Sequence, residues 1–175
     1  MRTTIQCFLP YVDEQQVKAT VEGLKESSLV SKITLLATDP EAKTCLGCDL
    51  LHIDSLNSSA TMLAIAEHCD SDYLLLYTKQ NTLVMGYLAM DRFVQLARDS
   101  KAGMAYSDYY TVVEGKKANA PVIDYQFGSL RDDFNFGSLL MFNAVDFKKA
   151  AAGISADYKA AGLYDLRLRL SRIAP

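Results

Sequence analysis

The run Tyr73-Leu74-Leu75-Leu76-Tyr77 puts apolar residues on both sides of an extended backbone, and it limits the fold more than any other stretch of the chain. A strand with no polar face needs cover on both sides, as at the centre of a sheet held between two helical layers. The sequence around it supplies those layers. Thr4-Ile5-Gln6-Cys7-Phe8-Leu9 reads as a strand stopped by Pro10, and Val17, Val21 and Leu24 then recur at helical spacing. Ile33-Thr34-Leu35-Leu36 and Leu50-Leu51-His52-Ile53 repeat the strand signal. A second helix is predicted from Ser58 or Ser59, good N-caps, through Ala60, Leu63, Ala64 and Ala66, closing at Asp70-Ser71-Asp72. Met85, Leu88, Ala89, Phe93, Leu96 and Ala97 form the stripe of a third, and Met104-Ala105-Tyr106 the next strand. Alternation of this kind implies right-handed crossovers and an α/β fold of three layers, α/β/α, around a mainly parallel sheet.

After Asp108 the pattern changes. Tyr109-Tyr110-Thr111-Val112-Val113 turns at Glu114-Gly115-Lys116 into a ribbon, with loops to about Asp133. Ser138-Leu139-Leu140-Met141-Phe142 is strand-like, and residues 145–151 and 163–173 are predicted helices.

A length of 175 residues fits one domain with a single core. The formal charge of -3, with dispersed Lys and Arg, gives no field for a phosphate backbone, so nucleic acid is excluded as a partner. No apolar run approaches the ~20 residues of a membrane span. Met1-Arg2-Thr3 leads into a strand instead of a cleavable signal, so the expected location is the cytoplasm, with reduced thiols at Cys7, Cys45, Cys48 and Cys69.

Several chemistries lack their signatures. No Gly-x-Gly-x-x-Gly turn, Walker Lys-Ser/Thr loop, Gly-x-Ser-x-Gly elbow or His-x-x-x-His pair occurs. Cys45-Leu46-Gly47-Cys48 has the spacing of half a zinc site, yet no second close ligand pair accompanies it, and it sits in a polar loop instead of opening a helix. His52 and His68 read as structural. More informative is Tyr77-Thr78-Lys79-Gln80-Asn81, because polar residues directly after a central strand form either a plain solvated loop or the place where open α/β sheets bind ligands. Tyr106-Ser107-Asp108 ends the next strand in the same way, and if the two strands are neighbours both loops border one crevice. Arg131-Asp132-Asp133-Phe134-Asn135-Phe136-Gly137 crowds charge between aromatics, in the manner of a polar-ligand loop or a capped turn. In Gly162-Leu163-Tyr164-Asp165-Leu166-Arg167-Leu168-Arg169-Leu170, Asp165 lies at a helix start, where a carboxylate favours the dipole and is equally able to act as a general base.

Taken in order, these pieces resemble the family 2 glycosyltransferases of the GT-A (Rossmann-like) fold over nearly the whole chain. Ile5–Tyr11 resembles the family's first strand with its Pro-Tyr turn, and Asp72-Tyr73-Leu74-Leu75-Leu76 the strand that delivers an Asp-x-Asp motif. Tyr106-Ser107-Asp108 is similar to a recurring Tyr-Ser-Asp, and the segment from Gly162 to the family's Glu-Asp-x-x-Leu-x-x-Arg. The resemblance implies a single GT-A-like domain over residues 1–175, ending short of the acceptor-side elements that usually follow, so that the sequence reads as an excised domain. It implies inverting transfer of a sugar from a nucleotide-diphosphate donor to a saccharide or lipid-linked acceptor, with Asp165 as base. Pro10, Tyr11, Asp39, Thr78, Lys79 and Asp108 would bind the donor.

The chain departs from the family at three points. Thr78-Lys79-Gln80 stands where the family has Asp-x-Asp, so no carboxylate remains there for the Mg²⁺ or Mn²⁺ that the family uses, and Lys79 is left to offset diphosphate charge. Leu36-Ala37-Thr38-Asp39 lacks the paired acids that usually meet the nucleobase, and Tyr164 replaces a common acid. Those losses suit a rival expectation, a non-catalytic GT-A-like domain that binds a nucleotide sugar or a partner domain. A nucleotidyltransferase on a related fold would need a Gly-rich phosphate loop near the first strand, and none is present.

Overall fold

In the computed structural model, which describes residues 3–126, 128 and 134–174, the predicted alternation is present. The first half runs β1 (Ile5–Tyr11), α1 (Glu14–Lys25), β2 (Val30–Ala37), β3 (Asp49–His52), α2 (Ser59–His68), β4 (Tyr73–Tyr77), α3 (Ala89–Ser100) and β5 (Met104–Ala105). A hairpin of β6 (Tyr109–Val113) and β7 (Lys116–Ala120) follows, then β8 (Leu139–Asn143), α4 (Ala144–Ala152) and α5 (Gly162–Ile173). Six strands form one sheet in the order β3-β2-β1-β4-β8-β5, in which β1 to β4 are parallel and β8 runs antiparallel to both its neighbours.

Strand β4 lies inside this sheet, between β1 and β8, with all five residues buried, as its two apolar faces require. Its side chains divide by parity. Tyr73, Leu75 and Tyr77 join Cys7 and Leu9 of β1 under α1 and α3, where Val21, Leu24, Phe93 and Val94 pack. Leu74 and Leu76 join Phe8 under α2, α4 and α5, against Met62, Ile65, Phe147 and Leu166. The product is a three-layer α/β/α fold of the GT-A or Rossmann-like kind, with one core on each side of the sheet.

Two expectations are corrected. The strands ending at Tyr77 and Ala105 are not neighbours, because β8 inserts between β4 and β5 and pairs with both. A strand arriving from the far end of the chain leaves no local signal of where it inserts. Helix α3 begins at Ala89, not near Met85, since Leu88 adopts a left-handed φ of 54° that a helix cannot include. The preceding segment is non-helical and is fastened where the Leu83 N–H donates to Thr20 Oγ1 at 2.9 Å. The buried stripe of α3 is accordingly Met90, Phe93, Val94 and Ala97, while Leu96 points to solvent at 55% exposure.

Ser58 caps α2, its Oγ accepting from the Thr61 N–H at 3.1 Å and donating to the Asp54 carboxylate, and Ser58 is fully buried. Ser58→Ala should cost about 1–2 kcal/mol, the cost of an N-cap. A urea midpoint unchanged from the parent at equal m-value would contradict this. The buried Gln6 amide is satisfied in the same region, donating to Thr34 Oγ1 at 3.0 Å and the His68 carbonyl at 3.2 Å while accepting from the Asp70 N–H at 3.1 Å. The hairpin stands apart as its own two-stranded sheet. No described helix is long and apolar enough to cross a membrane.

Candidate functional site

The sheet splits at its C-terminal end. Pairing of β1 with β2 continues to Tyr11↔Ala37, but pairing of β1 with β4 stops at Phe8↔Leu76. The chain also changes direction here, stepping from β1 outward to β2 and β3 and then back across to β4. Open α/β sheets bind ligands at such a switch point, outside the carboxyl ends of the strands.

A cleft of about 340 Å³ occupies this opening. Pro10 and Tyr11 line it from the end of β1, Leu36 from β2, Thr38 from just beyond it, and Ile53 and Leu56 from the loop after β3. Opposite them stand Thr78, Lys79, Gln80 and Asn81 from the loop after β4. One side is therefore apolar and the other polar, a combination suited to a ring on one end of a ligand and a hydrophilic group on the other.

The polar loop is held by its neighbours. Thr78 donates from both N–H and Oγ1 to the Ser138 carbonyl, at 2.9 and 3.2 Å. Gln16, in the first turn of α1, clamps both walls: its Nε2 donates to the Gln80 carbonyl at 2.9 Å and its Oε1 accepts from the Val12 N–H at 3.2 Å. Tyr11 Oη donates to the Lys43 carbonyl at 3.1 Å. Hydrogen bonding to Cys45, followed by burial, pushes the Tyr11 hydroxyl up to about 12, so it stays a neutral phenol. Lys79 is exposed and makes no hydrogen bond or ion pair among the described residues.

Among the described residues the donors that face the cleft are a phenol, hydroxyls, amides and one ammonium, with no carboxylate. That set does not fit Mg²⁺ or Mn²⁺, which require carboxylate oxygens or several anionic ligands. Among the described residues no three His, Cys, Asp or Glu side chains gather into a metal site.

Of the residues predicted from sequence, Pro10, Tyr11, Thr78 and Lys79 come together in the cleft, and Asp39, Asp108 and Asp165 do not line it. Asp39 turns back on its own loop, accepting from the Glu41 N–H at 2.9 Å, and its neighbour Thr38 faces the cleft instead. Asp108 sits beyond inserted β8 and accepts from the Val122 N–H at 2.8 Å, across the base of the hairpin. Asp165 lies in the first turn of α5 and accepts from Arg169 Nε at 2.8 Å. The start of α5 nevertheless abuts the loop that supplies Ile53 and Leu56, since Gly162 N–H donates to the Asn57 carbonyl at 2.7 Å. Arg131, Asp132 and Asp133 lie outside the described residues.

The Cys45-to-Cys48 segment is a tight turn, with φ of 53° at Leu46 and 67° at Gly47 and the Cys48 N–H bonded to the Cys45 carbonyl at 3.0 Å. His52 and His68 bond backbone carbonyls, of Asp39 at 3.2 Å and Ala64 at 2.8 Å. Sequence reasoning missed Gln16, Ile53 and Leu56. Gln16 is one polar residue among several on an amphipathic helix, and the two aliphatics look like core, so no local signal separates them.

No protein-family model and no curated protein matches the chain. Solved structures do. CMP:2-keto-3-deoxy-manno-octonic acid synthetase complexed with CTP superposes at a TM-score of 0.58 and 10% identity, over 98% of this chain and 86% of that one. The 2-C-methyl-D-erythritol 4-phosphate cytidylyltransferase of Thermus thermophilus gives 0.55 and 12%, over 100% and 86%. The bifunctional IspDF of Campylobacter jejuni gives 0.53 and 10%, over 95% of this chain, which spans 47% of that protein's length. Identities this low establish a shared fold.

Proposed function

We propose that this chain is the donor-binding domain of a nucleotide-sugar transferase, taking a nucleoside-diphosphate sugar in the cleft between β1 and β4. The observation that carries this reading is the pairing of an apolar wall with a Lys79 that has no partner among the described residues, at the switch point of the sheet. The nucleoside would lie along Leu36, Thr38, Ile53 and Leu56, and the diphosphate against Thr78 and Lys79. Lys79 supplies the positive charge there, and the donor set argues for metal-independent binding. The fold shared with a cytidylyltransferase and with a CMP:2-keto-3-deoxy-manno-octonic acid synthetase complexed with CTP supports a nucleotide ligand. Absence of a Gly-rich loop after β1 favours a sugar-transfer donor over a nucleotidyl-transfer reaction. In that reading Asp165 deprotonates the acceptor hydroxyl of a saccharide or lipid-linked acceptor, and a single displacement at the anomeric carbon inverts its configuration.

A second reading, donor binding without turnover, draws on one feature: the Asp165 carboxylate is engaged by Arg169 and stands outside the cleft. Calorimetric titration with a panel of nucleoside diphosphates and their sugars, with and without Mn²⁺, tests the reading common to both. Lys79→Ala should weaken binding by about 1–3 kcal/mol, the range for a hydrogen bond to a charged group. Added Mn²⁺ should change it little. A large Mn²⁺-dependent gain with Lys79→Ala equal to the parent would remove Lys79 from the site.

A further inference from the structure

A second pocket lies at the β5 edge of the sheet, against β5 and α5, and shares no lining residue with the cleft. It measures about 50 Å³, lined by Tyr106, Tyr125, Phe136, Arg167 and Ser171 with aliphatic neighbours. A space of that size admits a group of a few heavy atoms and excludes a nucleotide or a sugar ring.

Among the described residues Arg167 is the only charged one in the lining, and it is half-buried. Its Nε is fully buried with no hydrogen-bond partner, and among the described residues the side chain accepts no ion pair. The guanidinium carbon sits 5.0 Å from the centroid of the Phe136 ring, which is packed edge-on by Tyr106 at 4.9 Å. A ring face attracts the cation but satisfies none of its N–H donors in the guanidinium plane. Two polar neighbours are engaged elsewhere. Tyr106 Oη donates to the Ile123 carbonyl at 3.0 Å and accepts from the Tyr125 N–H at 2.6 Å, while Ser171 Oγ donates to the Leu168 carbonyl at 2.9 Å. Burial lowers the pKa of Arg167, the direction expected of a cation held without a compensating anion.

A buried N–H donor without an acceptor is costly, and the group that best answers the Nε of a half-buried guanidinium is a planar or tetrahedral oxyanion accepting parallel N–H bonds from Nε and a terminal nitrogen. We infer that the Tyr106–Phe136–Arg167 pocket is a binding site for a small oxyanion, a carboxylate or phosphate group, gripped by Arg167 between aromatic walls. This assignment does not depend on what the cleft binds. It gives the chain a second ligand contact on the α5 face.

Nuclear magnetic resonance of the arginine Nε–Hε groups in the full chain tests it, with sodium phosphate and sodium acetate titrated separately at constant ionic strength. Arg167→Lys identifies the Arg167 signal by its loss. The expected result is a saturable shift of that signal alone, with the Arg169 signal unmoved. Saturation at lower phosphate than acetate names a phosphoryl ligand, and the reverse order names a carboxylate. The same anion should raise the thermal midpoint of the parent, and in Arg167→Lys it should bind roughly 10- to 100-fold more weakly, the range for one charge-assisted hydrogen bond. An Arg167 signal indifferent to both anions overturns the assignment. So does a linear drift of all arginine signals together, which marks unspecific ion pairing.

Discussion

Gly162→Ala should lower the unfolding free energy by about 3 kcal/mol, at the upper end of the overpacking range, although it adds one methyl group to a helix. A Cβ at Gly162 would stand 2.3 Å from the Ser58 carbonyl carbon and the Ser59 nitrogen, and 2.5 Å from the Ser58 oxygen. All three are backbone atoms, so no rotamer change relieves the clash. They are also held in place: Ser58 caps α2, the Ser59 N–H donates to the Tyr158 carbonyl at 2.8 Å, and Gly162 itself bonds Asn57. Alanine is the better helix former and would stabilise an exposed helix, so the sign of the effect isolates the close approach. Urea unfolding measures it. A variant as stable as the parent would mean that α5 does not dock on the start of α2. Because the Asn57–Ser59 backbone continues into the loop bearing Ile53 and Leu56, donor affinity in the cleft should fall with stability, which Ala substitutions elsewhere on α5 should not cause.

Gly162 also shows what was legible in the sequence and what was not. Its segment stood out, but the weight fell on Asp165, whose residue type suggests chemistry, while the glycine's role depends on a backbone about a hundred residues earlier. Local patterns carried well. The apolar pentapeptide at β4 located the centre of the sheet, the Ser58 cap located α2, and the Glu114-Gly115 turn located the hairpin, because each is decided within a few residues. Non-local pairing did not carry. Nothing within β8 states that it will enter between β4 and β5, and that insertion is what separates Asp108 from the cleft. The cleft itself was half legible. Pro10, Tyr11, Thr78 and Lys79 follow strand ends and could be found by position, whereas Leu36, Ile53 and Leu56 are apolar residues whose exposure to a cleft depends on where three strands stop. In the sequence Arg167 is one of several arginines in an amphipathic helix, and only the fold sets it apart by bringing the Phe136 ring against it.

On the proposed reading, Asp165→Asn should reduce sugar transfer by about 10²- to 10⁴-fold, the contribution of a positioned general base, and should leave the dissociation constant for the donor nucleotide unchanged. The split follows from the geometry. Asp165 is outside the cleft, so its loss removes no donor contact, yet it sits in the first turn of α5 at the same end of the sheet, beside the loop that forms one wall. The asparagine keeps the size of the side chain and one acceptor for Arg169 Nε, which limits the effect on folding and allows urea unfolding to serve as the control. Arg169→Leu completes the test, because it releases the carboxylate without changing it. If Asp165 is the base, Arg169→Leu should retain far more transfer than Asp165→Asn. If the pair merely fastens α5, the two variants should lose stability alike and transfer no more than their stability predicts. Transfer by Asp165→Asn within about twofold of the parent would sink the base assignment while leaving the cleft and Lys79 as the donor site.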